Sequence, residues 1–455
     1  MRCLMVAAAG LAMSASMAAA EVLPPFQQGR AGSILGTSEQ IETDRQTLRV
    51  YSSREVQAAI KALVAVYEKD PVAQYPDARK TLRRAAEAMA MAQSHGVVAA
   101  DPDRAAALWG TNGPHAWGDL GLPVAGVMID NPDNIYRSIP IDGAASYVIE
   151  GRVIYPAPVQ QTMVLHNEKS GSDPNQKIKS QEAENGAVPL DSIPVARDGT
   201  FTVTVDASPT GGRTNHLQSD PAVHDAYILV RDTIPDWSRQ NPVQLSVKRV
   251  AGPPVKPPRS DAELAAKAAA MTGNVARYFM TWAKQRFYSG AANTVTHQFD
   301  RASGWGAIAC GWYRLEADEA LVVTLDRRSA AYLGFQLSDA WGQGQTSEYL
   351  ANLGSLSGDQ ASANADGSYT YVVAASDPGV HNWLDTAGLR TGTYCIRWQA
   401  MPEGVKAAGA VRGMEVVKLA ALDTALPQAT VRVTPAQRAE QIEQRRRDYA
   451  RRLQY

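Results

Sequence analysis

The 455-residue sequence predicts a mainly β protein with α additions, an α+β chain built on two jelly-roll-like β-sandwich units. Three observations predict this class. Hydrophobic alternation of period two recurs in short runs over two long stretches. Asp-Gly dipeptides at Asp142, Asp198 and Asp366 lead into such runs, as tight turns into strands do. Helical periodicity is confined to the N-terminal region, one connecting segment and the C-terminus.

Taken in order, Ser52 with Glu55 forms a capping-box pair, followed at helical spacing by Val56, Ile60, Leu63, Val64 and Tyr67. A second helix is expected from Pro76 to Gln93, and a short third where Asp101 caps and Pro102 opens the first turn. After Gly110 the period becomes two, with strands expected over 147–155, 161–167, 201–206, 226–231 and 243–250. The Pro-rich piece 252–258 interrupts them. Ser260 and Glu263 then open a long helix to about Phe287, with Leu264, Ala268, Met271, Val275, Phe279 and Trp282 on one face. Strands resume over 321–325, 331–337, 368–374 and 393–398, and Thr434-Pro435 with Gln437 caps a last helix. The chain divides into a signal peptide (1–20), an N-terminal helical region (21–118), a first sandwich unit (119–252), a linker with connecting helix (253–290), a second unit (291–433) and a charged helix (434–455).

The two β regions share landmarks in one order. Tyr136-Arg137, Asp198-Gly199, Asn215-His216-Leu217 and Arg231 correspond to Tyr313-Arg314, Asp366-Gly367, Asn382-Trp383-Leu384 and Arg397. An internal duplication accounts for the ordered set. Asn and Leu then serve a turn common to both units, and Trp383 and Asp385, which replace His216 and Gln218, mark whatever is peculiar to the second.

Composition bounds the function. Lys plus Arg number 45 against 46 for Asp plus Glu, without the basic excess of a nucleic-acid binder. Arg2, the apolar stretch from Leu4 to Met17 and Ala18-Ala19-Ala20 have the layout of a secretory signal, and no later apolar run would span a bilayer. A periplasmic or secreted location follows. Removing the signal leaves Cys310 and Cys395, which are either one disulfide or two separately buried thiols.

No HExxH, phosphate loop, GxSxG elbow or dinucleotide fingerprint occurs, and the seven His lack metal-ligand spacing, so neither metal nor cofactor is expected. The densest polar constellation runs from Asp377 to Gly388, a loop after a strand. Asp377 and Asp385 are the candidate acid and base, as glycosidic chemistry would need, against the plainer role of capping turn amides. Trp305, Trp312, Trp341, Trp383 and Trp398 concentrate in the second unit. Trp341 and Trp383 are candidates to stack on a ring, with Asn382 and Arg397 as polar ligand contacts. The Asp130-to-Arg137 segment reads as turns and caps, lacking the spacing of a calcium loop. In the last helix Arg445, Arg446, Arg447, Arg451 and Arg452 interleave with Glu440, Glu443 and Asp448, a solvated face.

Asp377-Pro378-Gly379, then Asn382-Trp383-Leu384-Asp385-Thr386-Ala387-Gly388, then Gly392-Thr393 and Arg397-Trp398, resembles Domain of Unknown Function 1214. Asp133 to Arg137 with Asp142-Gly143 and Tyr147, and the Arg-rich C-terminal helix, are similar to longer members. The resemblance spans roughly 130–455 and implies a jelly-roll-like architecture but no reaction; many members have Pro where this chain has His381, which argues against an obligatory base there. Two readings of function follow, the first of them leading and the second its alternative. One is an exported protein that binds, or binds and transforms, a small cyclic or glycan-like ligand at the second unit; the other is a non-catalytic structural or assembly protein of the cell envelope.

Overall fold

The structure, a computed structural model, describes residues 27–178, 187–301 and 306–454; the expected signal segment 1–20 and Trp305 lie outside them. Capping chemistry sets the helix starts. α1 (Ser38–Tyr51) begins at Thr37, whose side chain accepts from the Gln40 N–H, and α2 (Arg54–Glu68) begins at Ser53, which accepts from Val56. The cap expected at Ser52 moves by one residue, because Ser52 closes α1 with its N–H on the Leu48 carbonyl. The sequence reading has no helix at 38–51: the face of α1 that is buried carries Gln40, Asp44 and Thr47, so hydrophobic periodicity finds little there.

α3 (Pro76–Val98) starts as expected and runs past Gln93, while the third helix is a single 3-10 turn, Pro102–Arg104, capped by Asp101. α4 (Asp261–Arg286) opens on the reciprocal Ser260/Glu263 capping box. It packs on α2 and α3 around Val56, Ile60, Leu63, Leu264, Ala268 and Val275, each large aliphatic contributing about 1.5–3 kcal/mol by leaving water. Two short helices, α5 (Ser347–Ala351) and α6 (Leu422–Ala425), precede α7 (Pro435–Arg452), which has the expected Thr434/Gln437 box.

Two sandwiches carry the rest. In the first, a five-stranded sheet ordered β2 (Leu108–Thr111), β5 (Asn134–Ile141), β11 (Ala226–Thr233), β7 (Gln160–His166), β8 (Ala187–Pro189) faces a four-stranded sheet. That second sheet is ordered β10 (His216–Gln218), β9 (Thr200–Asp206), β6 (Ser146–Arg152), β12 (Gln244–Ala251). The other sandwich repeats the plan. Its sheets are β13 (Thr294–Asp300), β14 (Gly306–Arg314), β20 (Thr391–Gln399), β16 (Tyr332–Asp339), β17 (Ser355–Ser357), and β19 (Trp383–Asp385), β18 (Tyr369–Ala374), β15 (Glu319–Leu325), β21 (Val411–Lys418). A small sheet of β1 (Gln28–Gly29), β3 (His115–Trp117) and β4 (Leu120–Leu122) completes the fold. Strand β2 belongs to the first sandwich by pairing with β5, so the boundary expected at 118 and 119 falls before Leu108.

The two sandwiches share their sheet order and several local pairings. β10 pairs parallel with β9, and β19 parallel with β18, in otherwise antiparallel sheets. Asn215 donates to the Thr202 carbonyl and accepts on its own carbonyl from Thr204; Asn382 does the same with Thr370 and Val372. Asp198 and Asp366 each cap the N–H two residues on, around Gly199 and Gly367 at φ of 84° and 80°, a region that favours Gly. One landmark fails: Arg231 lies opposite Tyr136 and Arg397 opposite Ile308, so Tyr136-Arg137 and Tyr313-Arg314 are out of step.

The sandwich cores hold alternate strand residues, Tyr394, Ile396 and Trp398 of β20 among them. Cys310 and Cys395 pair on the opposite face and are joined as a disulfide across β14 and β20. Where the sandwiches meet, Asn131 and Asp133 bond the Tyr332 hydroxyl, and Thr233 donates to Gln399. The Asp130-to-Arg137 segment thus forms turns, as read, and strand β5, which was not read.

Candidate functional site

The loop between β18 and β20 is built by its own polar groups. Asp377 Oδ1 accepts the Gly379 N–H at 2.9 Å, closing the Pro-Gly turn, and both Asp377 oxygens receive Arg438 of α7, Nε to Oδ2 at 2.9 Å and Nη2 to Oδ1 at 3.1 Å. Arg438 also donates to the Val380 carbonyl and lies 5.1 Å from the centre of the Trp383 ring. Asp385 Oδ1 accepts the Ala387 N–H at 2.8 Å. Burial first, and the charge of Asp377 second, push the Asp385 carboxyl above the ordinary range. Asn382 receives Ser362 N–H on its oxygen and donates to the Ser362 and Thr370 carbonyls.

The Trp383 ring is part of the sandwich core, and its indole N–H donates to the Ala374 carbonyl at 3.0 Å. An indole committed on its faces to core and guanidinium is not a stacking platform. Trp341 stands elsewhere: it stacks on Tyr67 of α2 with ring centroids 4.4 Å apart, and donates to the Ala78 carbonyl of α3. Arg397 occupies the face of β20 away from the sandwich core, donating to Gln336 at 2.7 Å and to the Ile129 carbonyl at 2.5 Å. The expected convergence of Asp377, Asp385, Trp341, Asn382, Trp383 and Arg397 is therefore corrected. Asp377, Asn382, Trp383 and Asp385 share one loop as turn, clasp and core; Trp341 joins the helical layer and Arg397 joins the sandwich joint.

Trp398 fills the core, whereas Trp312 packs on the outer face against Tyr75 and Tyr288. The C-terminal arginines also differ from expectation. Arg438, Arg445 and Arg452 are buried at 5% exposure each. Arg445 donates to the Leu350 carbonyl and Ser355, Arg452 to the Pro132 carbonyl, and both guanidinium groups sit over Trp237 at 4.3 and 4.5 Å. One face of α7 is thus a strap across the molecule, not a solvated surface.

A buried cluster that the sequence did not single out lies where α3 meets the second sandwich. Asp339 Oδ1 accepts the Trp341 and Gln343 N–H groups, both at 2.9 Å, while Oδ2 faces Arg84 at 3.9 Å. Burial holds this carboxyl above its ordinary range, against the pull of Arg84. Tyr313 and Tyr349 lie near it and near each other, with neither hydroxyl completing a well-formed bond among the described residues. Arg84 pairs outward with Glu348 at 2.9 Å and covers the cluster. Its only sequence signal is an Asp at a strand end before Trp-Gly.

Among the described residues no group of three or more His, Cys, Asp or Glu side chains is placed to hold a metal ion. Two open concavities, of about 500 and about 400 Å3, both lie along α4, away from the motif loop.

No family model matches the chain, and no curated protein matches it. Among solved structures it is similar to an uncharacterised protein from Burkholderia cenocepacia, at 24% identity and TM-score 0.62, over 86% of this chain and all of that one. A structural-genomics protein from Vibrio parahaemolyticus matches at 11% identity and TM-score 0.36, over 64% of this chain and 90% of that one. The Burkholderia likeness extends to the fold alone, an α+β architecture of several sandwiched sheets.

Proposed function

We propose that the chain is an exported, non-catalytic β-sandwich protein of the cell envelope, akin to Domain of Unknown Function 1214, whose Asn-Trp-Leu-Asp-Thr-Ala-Gly loop is an assembly joint. One observation carries this reading: the Asp377 carboxylate is divided between a turn amide and Arg438, and the same guanidinium covers Trp383. A general acid or base needs a free oxygen within reach of substrate, and both Asp377 oxygens, with Oδ1 of Asp385, are taken by the loop backbone and by α7. Export is supported by the signal-like N-terminus and by the Cys310–Cys395 bridge, which suits an oxidising compartment. Among the described residues no helix is long and apolar enough to cross a membrane.

The competing reading puts a cyclic or glycan-like ligand on the second sandwich at Trp383. A thermal-shift screen of glycan fragments, steroids and aromatic acids against wild type and Trp383→Phe separates the two. The joint reading expects no compound whose effect depends on Trp383. A compound that stabilises wild type by mass action and loses that effect in the variant overturns it.

A further inference from the structure

Along α2 and α4 the outward edges of the helices leave an open groove of about 500 Å3, within the span of about 300–1,000 Å3 typical of small-ligand sites. Its walls are small and apolar: Ala59, Ala62 and Val66 of α2, and Ala269, Gly273 and Met280 of α4. Gly273 sits inside a long helix, where Gly is less favourable than Ala. A Cβ built there meets nothing within 4 Å, so packing does not require the glycine. Its missing side chain deepens the groove.

The rim is cationic. Lys69, Arg277 and Lys284 line it, and the one acid, Asp70, is already paired with Lys284 at 2.7 Å. Arg277 makes no ion pair among the described residues; it donates to the Asn274 side-chain oxygen at 3.5 Å, a weak contact. Beyond Glu263, α4 carries Lys267, Arg277, Lys284 and Arg286 and no acid. Arg277 and Thr281 also line the adjoining concavity of about 400 Å3, whose wall is polar, with Asp173, Lys177, Asn274, Tyr278 and Gln285. Along α4 the apolar trough leads past Ala269 and Gly273 to Arg277, which makes no ion pair among the described residues, and a polar alcove that includes Asp173 adjoins it there.

We infer that this groove binds a single-chain amphiphile with an anionic head, a fatty carboxylate in its simplest form. The acyl chain lies along Ala269 and Gly273, and the carboxylate is held by Arg277 at the sill of the polar alcove. A neutral amphiphile forgoes the ion pair with Arg277, and a cationic one is repelled by the rim.

Calorimetric titration with decanoate, below its micelle-forming concentration, tests this, with decanol and decyltrimethylammonium as comparators. Wild type is expected to bind decanoate saturably and more tightly than either comparator. Gly273→Leu, which fills the trough, is expected to weaken binding at least tenfold with an unchanged or raised Tm, and Arg277→Gln to bring decanoate down to the affinity of decanol. Absence of saturable binding by wild type, undiminished binding by a folded Gly273→Leu, or equal binding of decanol and decanoate overturns the inference. Trp383→Phe is expected to bind decanoate as wild type does, so this site and the joint assigned to the motif loop fail or stand separately.

Discussion

Arg438 grips Asp377 through two nitrogen–oxygen contacts, at 2.9 and 3.1 Å, across 61 residues of sequence. The arginine is nearly buried while the aspartate is one-third exposed, at 6% and 34% for their side chains. Removing the arginine would strip the Val380 carbonyl of a donor and the Trp383 ring of its cover. Breaking a buried pair costs about 3–5 kcal/mol, and solvent at Asp377 screens part of that. Arg438→Ala is therefore expected to lower unfolding free energy by about 3 kcal/mol, and Asp377→Asn, which keeps the cap on Gly379, by about 1 kcal/mol. Urea denaturation of both variants checks this; equal losses would mean that the contacts of Arg438 with the Val380 carbonyl and the Trp383 ring add nothing beyond its pairing with Asp377.

The bridge between Cys310 and Cys395 closes a loop with a sequence separation of 85 and joins directly paired residues of β14 and β20. Chain entropy assigns such a crosslink about 4–5 kcal/mol, and disulfides typically contribute about 2–4. The Cys310→Ala/Cys395→Ala variant is expected to lose about 2–4 kcal/mol. Dithiothreitol should lower the wild-type Tm and leave that of the variant unchanged. A wild type indifferent to reductant would mean that the cysteines are not bridged.

Much of the fold was legible because its signals are local. The Ser260/Glu263 and Thr434/Gln437 boxes, the Asp-Gly turns and the alternation of β6 and β9 each lie within a few residues. Strand β14 escaped because it is covered on both faces, so Gly306 to Tyr313 are all buried and no period of two survives. The candidate site was legible as a loop and illegible as a role. Nothing near Asp377 in sequence announces Arg438, and the acids between the arginines of α7 suggested a wet helix. Seven-residue spacing of Arg438, Arg445 and Arg452 was the available sign of one buried face.

The shared asparagines let the two units be compared directly. Asn382 is buried and holds three loop bonds, to Ser362 twice and to the Thr370 carbonyl; Asn215 is more open and holds the Thr202 bond that corresponds to the last. A neutral hydrogen bond contributes about 0.5–1.5 kcal/mol net, and an orphaned buried partner adds about 1–3. Asn382→Ala is expected to cost about 3 kcal/mol and Asn215→Ala about 1 kcal/mol by chemical denaturation. Equal costs would mean that both turns depend on the one bond they have in common.

Under the helical layer, Asp44 accepts from Gln40 and from the Trp117 indole, with His95 Nε2 at 3.7 Å and His115 lying between Trp109 and Trp117, tilted to the first ring and edge-on to the second. Burial pushes the Asp44 carboxyl from its ordinary 3.8 up to about 6, the Gln40 and Trp117 bonds opposing it. Burial pushes His95 and His115 down to about 4, with Lys169 adding to the effect on His95. The signs oppose. A carboxyl raised on folding contributes stability that is full below about pH 4 and is lost as pH rises to about 6; imidazoles lowered on folding contribute stability that is full above about pH 6.5 and is lost as pH falls towards 4. Asp44→Asn removes the first contribution alone. Between pH 4 and 6.5 the stability of wild type relative to this variant is therefore expected to fall as pH rises, by about 3 kcal/mol in all. Parallel Tm profiles of the two proteins across that range would place the ionisation of Asp44 at its ordinary pH and leave the histidines as the cluster's titrating groups.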